Sequence, residues 1–431
     1  MMTGTVNRLL VRNTVWMLLG QGIRLIIQAL YFVEIARSLG ANNYGAFVGV
    51  VALVGIAYPF GTLGSGNLLI KNVSRDRTLF AVYWGRALAT TAVFSCVLLT
   101  GVLAVSRFVL PASIPLALVL LVAGSDLMGL NIITIAAQAF QAFERLNWTA
   151  TINALISAGR LAGAVVLIEL RPHPSALQWG YLYFLSTTVV AVTASLLAWN
   201  KLGAPKFAWP KSAAEMREGF YFSSSLSAQT IYNDIDKTML ARLGSLDATG
   251  IYGAAYRLID VSFVPIAALV YSAYPNFFRA GAKGISASLE YAKPLLLHAF
   301  GYSSCVCVVL LATAGIVPHI LGPEYSRTTE ALRWLAPLPV LRGFHYFFSD
   351  SLTGAGHQGL RTAIQATVAI FNVAVNFWII PAYSWRGAAW SSLASDGLLA
   401  CATAAAVLIL ARRSRARLAQ LPAPSEAWCR E

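Results

Sequence analysis

Residues 115–140 read PLALVLLVAGSDLMGLNIITIAAQAF, 26 positions with one ionisable side chain, Asp126. An α-helix rises about 1.5 Å per residue, so about 20 apolar residues cross the hydrocarbon core of a bilayer. This run is long enough by itself. Comparable runs fall near residues 14–36, 44–70, 78–105, 149–170 and 177–199, then near 219–243, 248–274, 292–317, 329–352, 359–381 and 386–410. The least regular is 292–317, where Pro294 and His298 interrupt the start. The expectation is an all-α membrane protein of about twelve transmembrane helices.

Composition supports that class. The chain is 57% hydrophobic and only 12% charged over 431 residues, whereas a soluble domain carries about 25% charged residues to coat itself. The formal charge of +14 does not indicate nucleic acid. Its Lys and Arg are dispersed through short loops and a C-terminal tail, with no basic stripe and no stacking platform. With the N-terminus inside, the inner regions hold Arg8, Arg12, Lys71, Arg75, Arg77, Arg145, Lys201, Lys206, Lys211 and Arg217, and later Arg279, Lys283, Lys293, Arg361 and the tail arginines. The outer loops hold only Arg37, Arg107, Arg171, Arg242, Arg327, Arg333 and Arg386. That bias places both termini in the cytoplasm. The first run is too long for a signal peptide and is read as a retained helix. Four cysteines lie inside apolar runs and Cys429 in the tail, so neither a disulfide nor a metal site is expected, and no cofactor.

A connector near residues 200–218 divides the chain into an N-terminal six-helix bundle (1–205), a C-terminal six-helix bundle (206–411) and a basic cytoplasmic tail (412–431). The halves share a pattern. Arg37-Ser38-Leu39-Gly40 precedes Tyr44-Gly45 in one, and Arg242-Leu243-Gly244 precedes Tyr252-Gly253 in the other. Each second helix then contains an internal proline, Pro59 or Pro265. An even number of spans per half makes this a parallel repeat.

Ionisable groups inside a membrane helix cost roughly 2.5–3.5 kcal/mol each on insertion scales, so they face a cavity or one another. Arg24, Arg86, Arg160, Lys237, Arg257, Arg342, Asp126, Asp234, Asp236, Asp260 and Asp396 all fall within spans. Gln21, Arg24, Gln28 and Tyr31 share a face of the first helix; Ser223, Ser227, Thr230, Asp234 and Lys237 share a face of the seventh. Both stripes are expected to line a cavity, with Asp236 rotated toward a neighbouring helix. Asp234 with Lys237, and Arg257 with Asp260, stand three residues apart, so each pair could also neutralise itself within one helix. Arg24 has no such partner, Arg160 follows Thr149 and Asn153 on a similar face, and Arg86 lies near enough to the cytoplasmic end to snorkel.

The opening pattern Asn13, Trp16, Gly20, then Ala36-Arg37-Ser38-Leu39-Gly40, Tyr44-Gly45 and Leu63-Gly64 resembles the polysaccharide transporters, the Wzx-type flippases. So do Asp234-Ile235-Asp236-Lys237-Thr238-Met239-Leu240 and Gly250-Ile251-Tyr252-Gly253-Ala254-Ala255-Tyr256-Arg257-Leu258. That family belongs to the multidrug/oligosaccharidyl-lipid/polysaccharide (MOP) exporter superfamily. The resemblance implies two six-helix bundles around a central cavity, in a multi-pass protein of the bacterial cytoplasmic (inner) membrane. It also implies a function, translocation of a lipid-linked oligosaccharide on an undecaprenyl pyrophosphate carrier from the cytoplasmic to the periplasmic leaflet. The expected cavity residues are Arg24, Gln28, Arg160, Asp234, Lys237 and Arg257, since guanidinium forks match phosphate oxygens. Asp234, Asp236 and Asp260 are candidates for coupling to H⁺ or Na⁺. Membrane lipids and polysaccharide polymerase machinery are the further partners. The alternative is a multidrug or metabolite cation antiporter of the same superfamily. The short outer loops lack a carboxylate cluster or nucleotide loop, so no enzyme activity is expected.

Overall fold

The computed structural model describes the backbone over residues 2–206 and 213–419. Side chains are described within those ranges except at 2–21, 23, 24, 213–215, 218, 221, 222, 225, 228, 229, 275 and 415–419. Among the described residues all regular structure is helical. The α-helices are α1 (Met2–Thr62), α2 (Ser65–Val73), α3 (Phe80–Val109), α4 (Leu116–Ala123), α5 (Asn131–Ala142), α6 (Leu146–Leu170) and α7 (Ala176–Leu202). They continue as α8 (Ala213–Leu243), α9 (Leu246–Gly281), α10 (Ile285–Thr313), α11 (Val317–Leu321), α12 (Thr328–Leu335), α13 (Leu338–Gly354), α14 (Gln358–Tyr383) and α15 (Trp385–Ala419).

Nine helical stretches among the described residues are long and apolar enough to cross a membrane. One of them, Leu25–Val73, carries two of the apolar runs, because α1 turns at Gly40 (φ 68°, ψ 168°), a backbone conformation that glycine adopts without strain. Trp378 is 83% exposed, Phe108 80% and Ile370 71%. Bulky apolar side chains left uncovered across so many helices require hydrocarbon, not water, around them.

The chain divides into two compact units. The first comprises Met1–Ala254, Val317–Arg327 and Ile380–Trp385; the second comprises Ala255–Ile316, Thr328–Ile379 and the chain from Arg386 onward. The first has a core of Trp84, Phe140, Ile133, Ile152 and small alanines. The second is centred on Phe277, Phe347, Ala292 and Ala299.

Within the first unit, α8 is the helix with the polar stripe, and hydroxyls from that helix bond to α1. Ser223 Oγ donates to the Pro59 carbonyl at 2.8 Å, Ser227 Oγ to Ile56 at 2.7 Å and Thr238 Oγ1 to Gly49 at 3.4 Å. Pro59 disrupts the helical ladder of α1, and the two serines satisfy carbonyls around that break. Ser223 and Ser227, expected to line a cavity, are thus occupied in helix packing. Arg86 on α3 is buried, 8% exposed, with its guanidinium carbon 5.2 Å from the centre of the Tyr83 ring.

The corner at Gly40 is closed by the segment after α11. Glu324 Oε2 accepts the Ala41 N–H at 3.0 Å, and Tyr325 Oη donates to the Ala36 carbonyl at 2.8 Å. Burial, reinforced by nearby Tyr44 and the Glu324 and Asp247 carboxylates, pushes the Tyr325 phenol upward, so it stays a donor. Close by, α1 and α9 pack backbone against backbone: a Cβ on Gly45 would overlap the Leu246 carbonyl, and one on Gly250 the Ala41 carbonyl. Gly250→Ala is therefore expected to lower the melting temperature of the purified protein. Gly301→Ala on α10, which meets nothing within 4 Å, should leave it unchanged or raise it. Equal melting temperatures for wild type and Gly250→Ala would reject this close packing.

Candidate functional site

The polar interruption Gly124-Ser125-Asp126 in the opening stretch shapes the backbone. Between α4 and α5, Gly124–Leu130 winds as a π-helix, a wider turn that is frequent at functional sites. The Leu127 carbonyl within it is met from the side, by Ser95 Oγ and by Asn131 Nδ2 at 2.9 Å. Asn131 also reaches the Tyr58 carbonyl at 3.2 Å, tying the segment to α1. Ser125 Oγ bonds to Thr187 Oγ1 at 2.9 Å, fixing it to α7.

The result is a buried Asp126 aimed between α6 and α7. Arg160 Nη2 lies 3.2 Å from Asp126 Oδ1, and Tyr183 Oη donates to Oδ1 at 2.9 Å. The Arg160 guanidinium carbon stands 4.0 Å from the centre of the Tyr183 ring, a cation–π contact. Phe47 and Trp179 pack on Tyr183 at 5.1 and 5.7 Å, and Tyr31 on Trp179 at 5.6 Å. Arg160 Nε is buried and has no hydrogen-bond partner among the described residues. A guanidinium with one edge on a carboxylate and a donor still unsatisfied can accept an incoming anion.

The other expected residues are distributed. Arg24 lies on α1, with its side chain outside the described residues; Gln28 is half-buried on the same helix. Lys237 is buried and pairs with Asp234 on α8, also donating to the Asn233 carbonyl at 3.4 Å. Asp236 accepts the Tyr252 phenol of α9 and the Lys237 N–H at 2.8 Å. The second unit holds Arg257 and Asp260, and they form no ion pair with each other. Asp260 instead binds Arg342 of α13 at 3.1 Å, because it points across to that helix and not along its own. Arg342 also contacts Asp396 at 3.4 Å and Tyr256 Oη, with its guanidinium 4.9 Å from the Tyr256 ring centre. His345 Nε2 stands 3.7 Å from Asp396.

Residues 10–280 match the family model described as "Polysaccharide biosynthesis protein". The chain belongs to this family. Among solved structures it is similar to an inward-facing multidrug resistance MATE transporter of the MOP superfamily, at TM-score 0.73 and 15% identity over 93% of this chain and 99% of that one. An outward-facing MATE structure aligns at TM-score 0.63 and 15% identity, covering 95% of each chain. A MOP superfamily transporter from Pyrococcus furiosus aligns at TM-score 0.63 and 14% identity over 96% of each; its description notes a reversed polarity of its binding pocket. No curated protein matches the sequence. The fold is thus that of a MOP-type transporter within the polysaccharide biosynthesis protein family.

In this family member the sequence reading picked out Arg160 but not its partners. Asp126 was visible as a charge within a span, and the Gly-Ser-Asp break marks it. Tyr183 carries no signal beyond being an aromatic with a hydroxyl. Removing one partner of a buried pair costs about 3–5 kcal/mol, because the other charge is left uncompensated. Asp126→Ala is accordingly expected to destabilise the purified protein by that order. The double variant Asp126→Ala/Arg160→Met should recover most of the loss. Additive losses in a double-mutant cycle on thermal unfolding would show that the two side chains do not interact.

Proposed function

We propose that the protein is a flippase. It moves a lipid-linked oligosaccharide, carried on undecaprenyl pyrophosphate, from the cytoplasmic to the periplasmic leaflet by alternating access, for surface polysaccharide or exopolysaccharide synthesis. In this reading the chain spans a bacterial inner membrane about twelve times with both termini cytoplasmic, as bundles 1–205 and 206–411 followed by the tail. The observation that supports it most is Arg160, a half-buried guanidinium in a member of a polysaccharide biosynthesis family, with a buried Nε that has no hydrogen-bond partner among the described residues. A pyrophosphate cannot cross hydrocarbon without a counter-charge, and a planar fork of donors meets phosphate oxygens two at a time.

The pair with Asp126 suggests how the cation is held and released. At rest the two charges cancel. An arriving phosphate competes with Asp126 for Arg160, and protonation of Asp126 would favour the phosphate. Arg24, Gln28, Lys237 and Arg257 are proposed as further headgroup contacts, and Asp234, Asp236 and Asp260 as groups through which H⁺ or Na⁺ could couple. The second reading, a cation antiporter, draws on the fold likeness to multidrug resistance transporters.

The test is genetic and chemical. Deleting the gene in its native host should leave completed lipid-linked repeat units on the cytoplasmic face and abolish the surface glycan. Arg160→Ala and Arg24→Ala should fail to restore it while inserting normally in the membrane. Unchanged glycan and lipid intermediates, with new sensitivity to a panel of cationic drugs, would reject the flippase in favour of the antiporter.

A further inference from the structure

We propose that Asn131 and Ser95 are positioning residues for the Arg160 site. They hold Gly124–Leu130 in its π-helical winding, and relaxation of that turn to an α-helix withdraws Asp126 from Arg160. This positioning rests on the Arg160–Asp126 pair and holds whichever cargo the protein carries. A π turn takes one residue more than an α turn and is rare, so it persists where side chains around it oppose the α-helical bonds.

Here that opposition has named donors. Asn131 follows the turn directly and is buried. Its backbone N–H bonds to the Met128 carbonyl, while its side-chain Nδ2 donates to the Leu127 carbonyl at 2.9 Å. Leu127 lies four residues back, so its carbonyl is the acceptor that the Asn131 N–H would use in an α-helix. Ser95 Oγ, from α3, donates to the same oxygen. A carbonyl oxygen has two lone pairs, and two side-chain donors engage this one. The α-helical bond is opposed from within the segment and from a neighbouring helix.

The winding decides which helices the side chains meet. Within the turn, Ser125 reaches Thr187 of α7, and Asp126 reaches Arg160 of α6 and Tyr183 of α7. Just after it, Asn131 Nδ2 reaches the Tyr58 carbonyl of α1 at 3.2 Å. Successive residues of an α-helix are turned by about 100°, so losing the extra residue rotates positions before the turn against those after it. Asp126 and Asn131 cannot then both keep their partners. On α1, Gly61 leaves the room for this arrangement: a Cβ there would overlap Asn131 Nδ2 and stand 3.3 Å from the Leu127 carbonyl and from Ser95 Oγ. A shift of α1 at this point passes through Asn131 to Asp126 and sets whether Arg160 is paired.

The experiment repeats the Asp126→Ala and Arg160→Met double-mutant cycle, on thermal unfolding of the purified full chain, in altered backgrounds. In Asn131→Leu, which keeps the bulk and loses the donor, the coupling should fall to about half or less of its wild-type value. Ser95→Ala and Gly61→Ala should lower it too, and they decide the matter if Asn131→Leu does not fold. Ser95→Thr keeps the hydroxyl and should retain the coupling. Gly55→Ala on α1, whose Cβ meets only Thr230 Cγ2, at 3.5 Å, among the described residues, is the control and should change nothing. The winding itself is followed by oxidative cross-linking of Ser125→Cys with Thr187→Cys in an otherwise cysteine-free chain, which should slow in the Asn131→Leu and Gly61→Ala backgrounds. Undiminished coupling in Asn131→Leu, Ser95→Ala and Gly61→Ala, or undiminished cross-linking, would overturn the proposal while leaving the flippase reading intact. A wild-type cycle without coupling would overturn it together with the ion pair.

Discussion

A guanidinium carried into the apolar interior of a helix bundle has to bring its counter-charge and acceptors with it. That constraint organises both units of this protein. In the first, Arg160 rests on the Tyr183 ring and on Asp126. In the second, Arg342 rests on the Tyr256 ring, Asp260 and Asp396. Each arginine is met from two other helices, so the ion pairs join elements whose remaining contacts are largely apolar. Hydrophobic burial offers little to choose between neighbours in a bilayer, because the lipid is as apolar as leucine. Buried polar contacts therefore carry a large share of the specificity of packing.

The same logic explains α8, whose many Ser, Thr, Asn and Asp residues would be unusual in a lipid-facing span. Ser223, Ser227 and Thr238 donate to carbonyls of α1 along more than two turns. An interhelical hydrogen bond in a membrane is worth about 0.6 kcal/mol on average, so these contacts set register more than they supply stability. They fall beside Pro59, whose ring disturbs the α1 ladder close to the carbonyls that the serines reach. At the other end of the α1 segment, Gly45 and Gly250 let two backbones approach, and Glu324 caps the turn at Gly40. The sequence motifs Tyr44-Gly45 and Gly250-Ile251-Tyr252-Gly253 are where this contact is made.

Run length and helical periodicity carried most of the fold. The stretch at 149–170 is α6 (Leu146–Leu170), 177–199 is α7 (Ala176–Leu202) and 359–381 is α14 (Gln358–Tyr383). The run at 329–352 is broken into α12 and α13, since Pro337 removes an N–H and starts the helix anew. What stayed hidden was lateral. Arg257 and Asp260 are suitably spaced to pair, yet Asp260 turns to Arg342, 82 residues away. Arg86, read from its position along α3, was near enough to the helix end to snorkel; its burial against the Tyr83 ring was not legible from that position. One helix's periodicity states which residues share a face and is silent about what that face meets.

This separation between facing and meeting also governs what the Arg160 site can do. Taken alone, Arg160 is a fixed positive charge, and a fixed charge in a low-dielectric bundle would hold an anion too firmly to let it leave. Taken with Asp126, it is a neutral pair whose members sit on different helices, one of them delivered by a π-helical turn. In the proposed flippase a ligand phosphate would have to displace a carboxylate, not merely neutralise a cation, and the carboxylate would return when the ligand departs. Binding in that scheme would be weakened by the energy of the pair and release assisted by the same amount. For a carrier that must let its cargo go on the far side, a matched internal competitor is more useful than a stronger site.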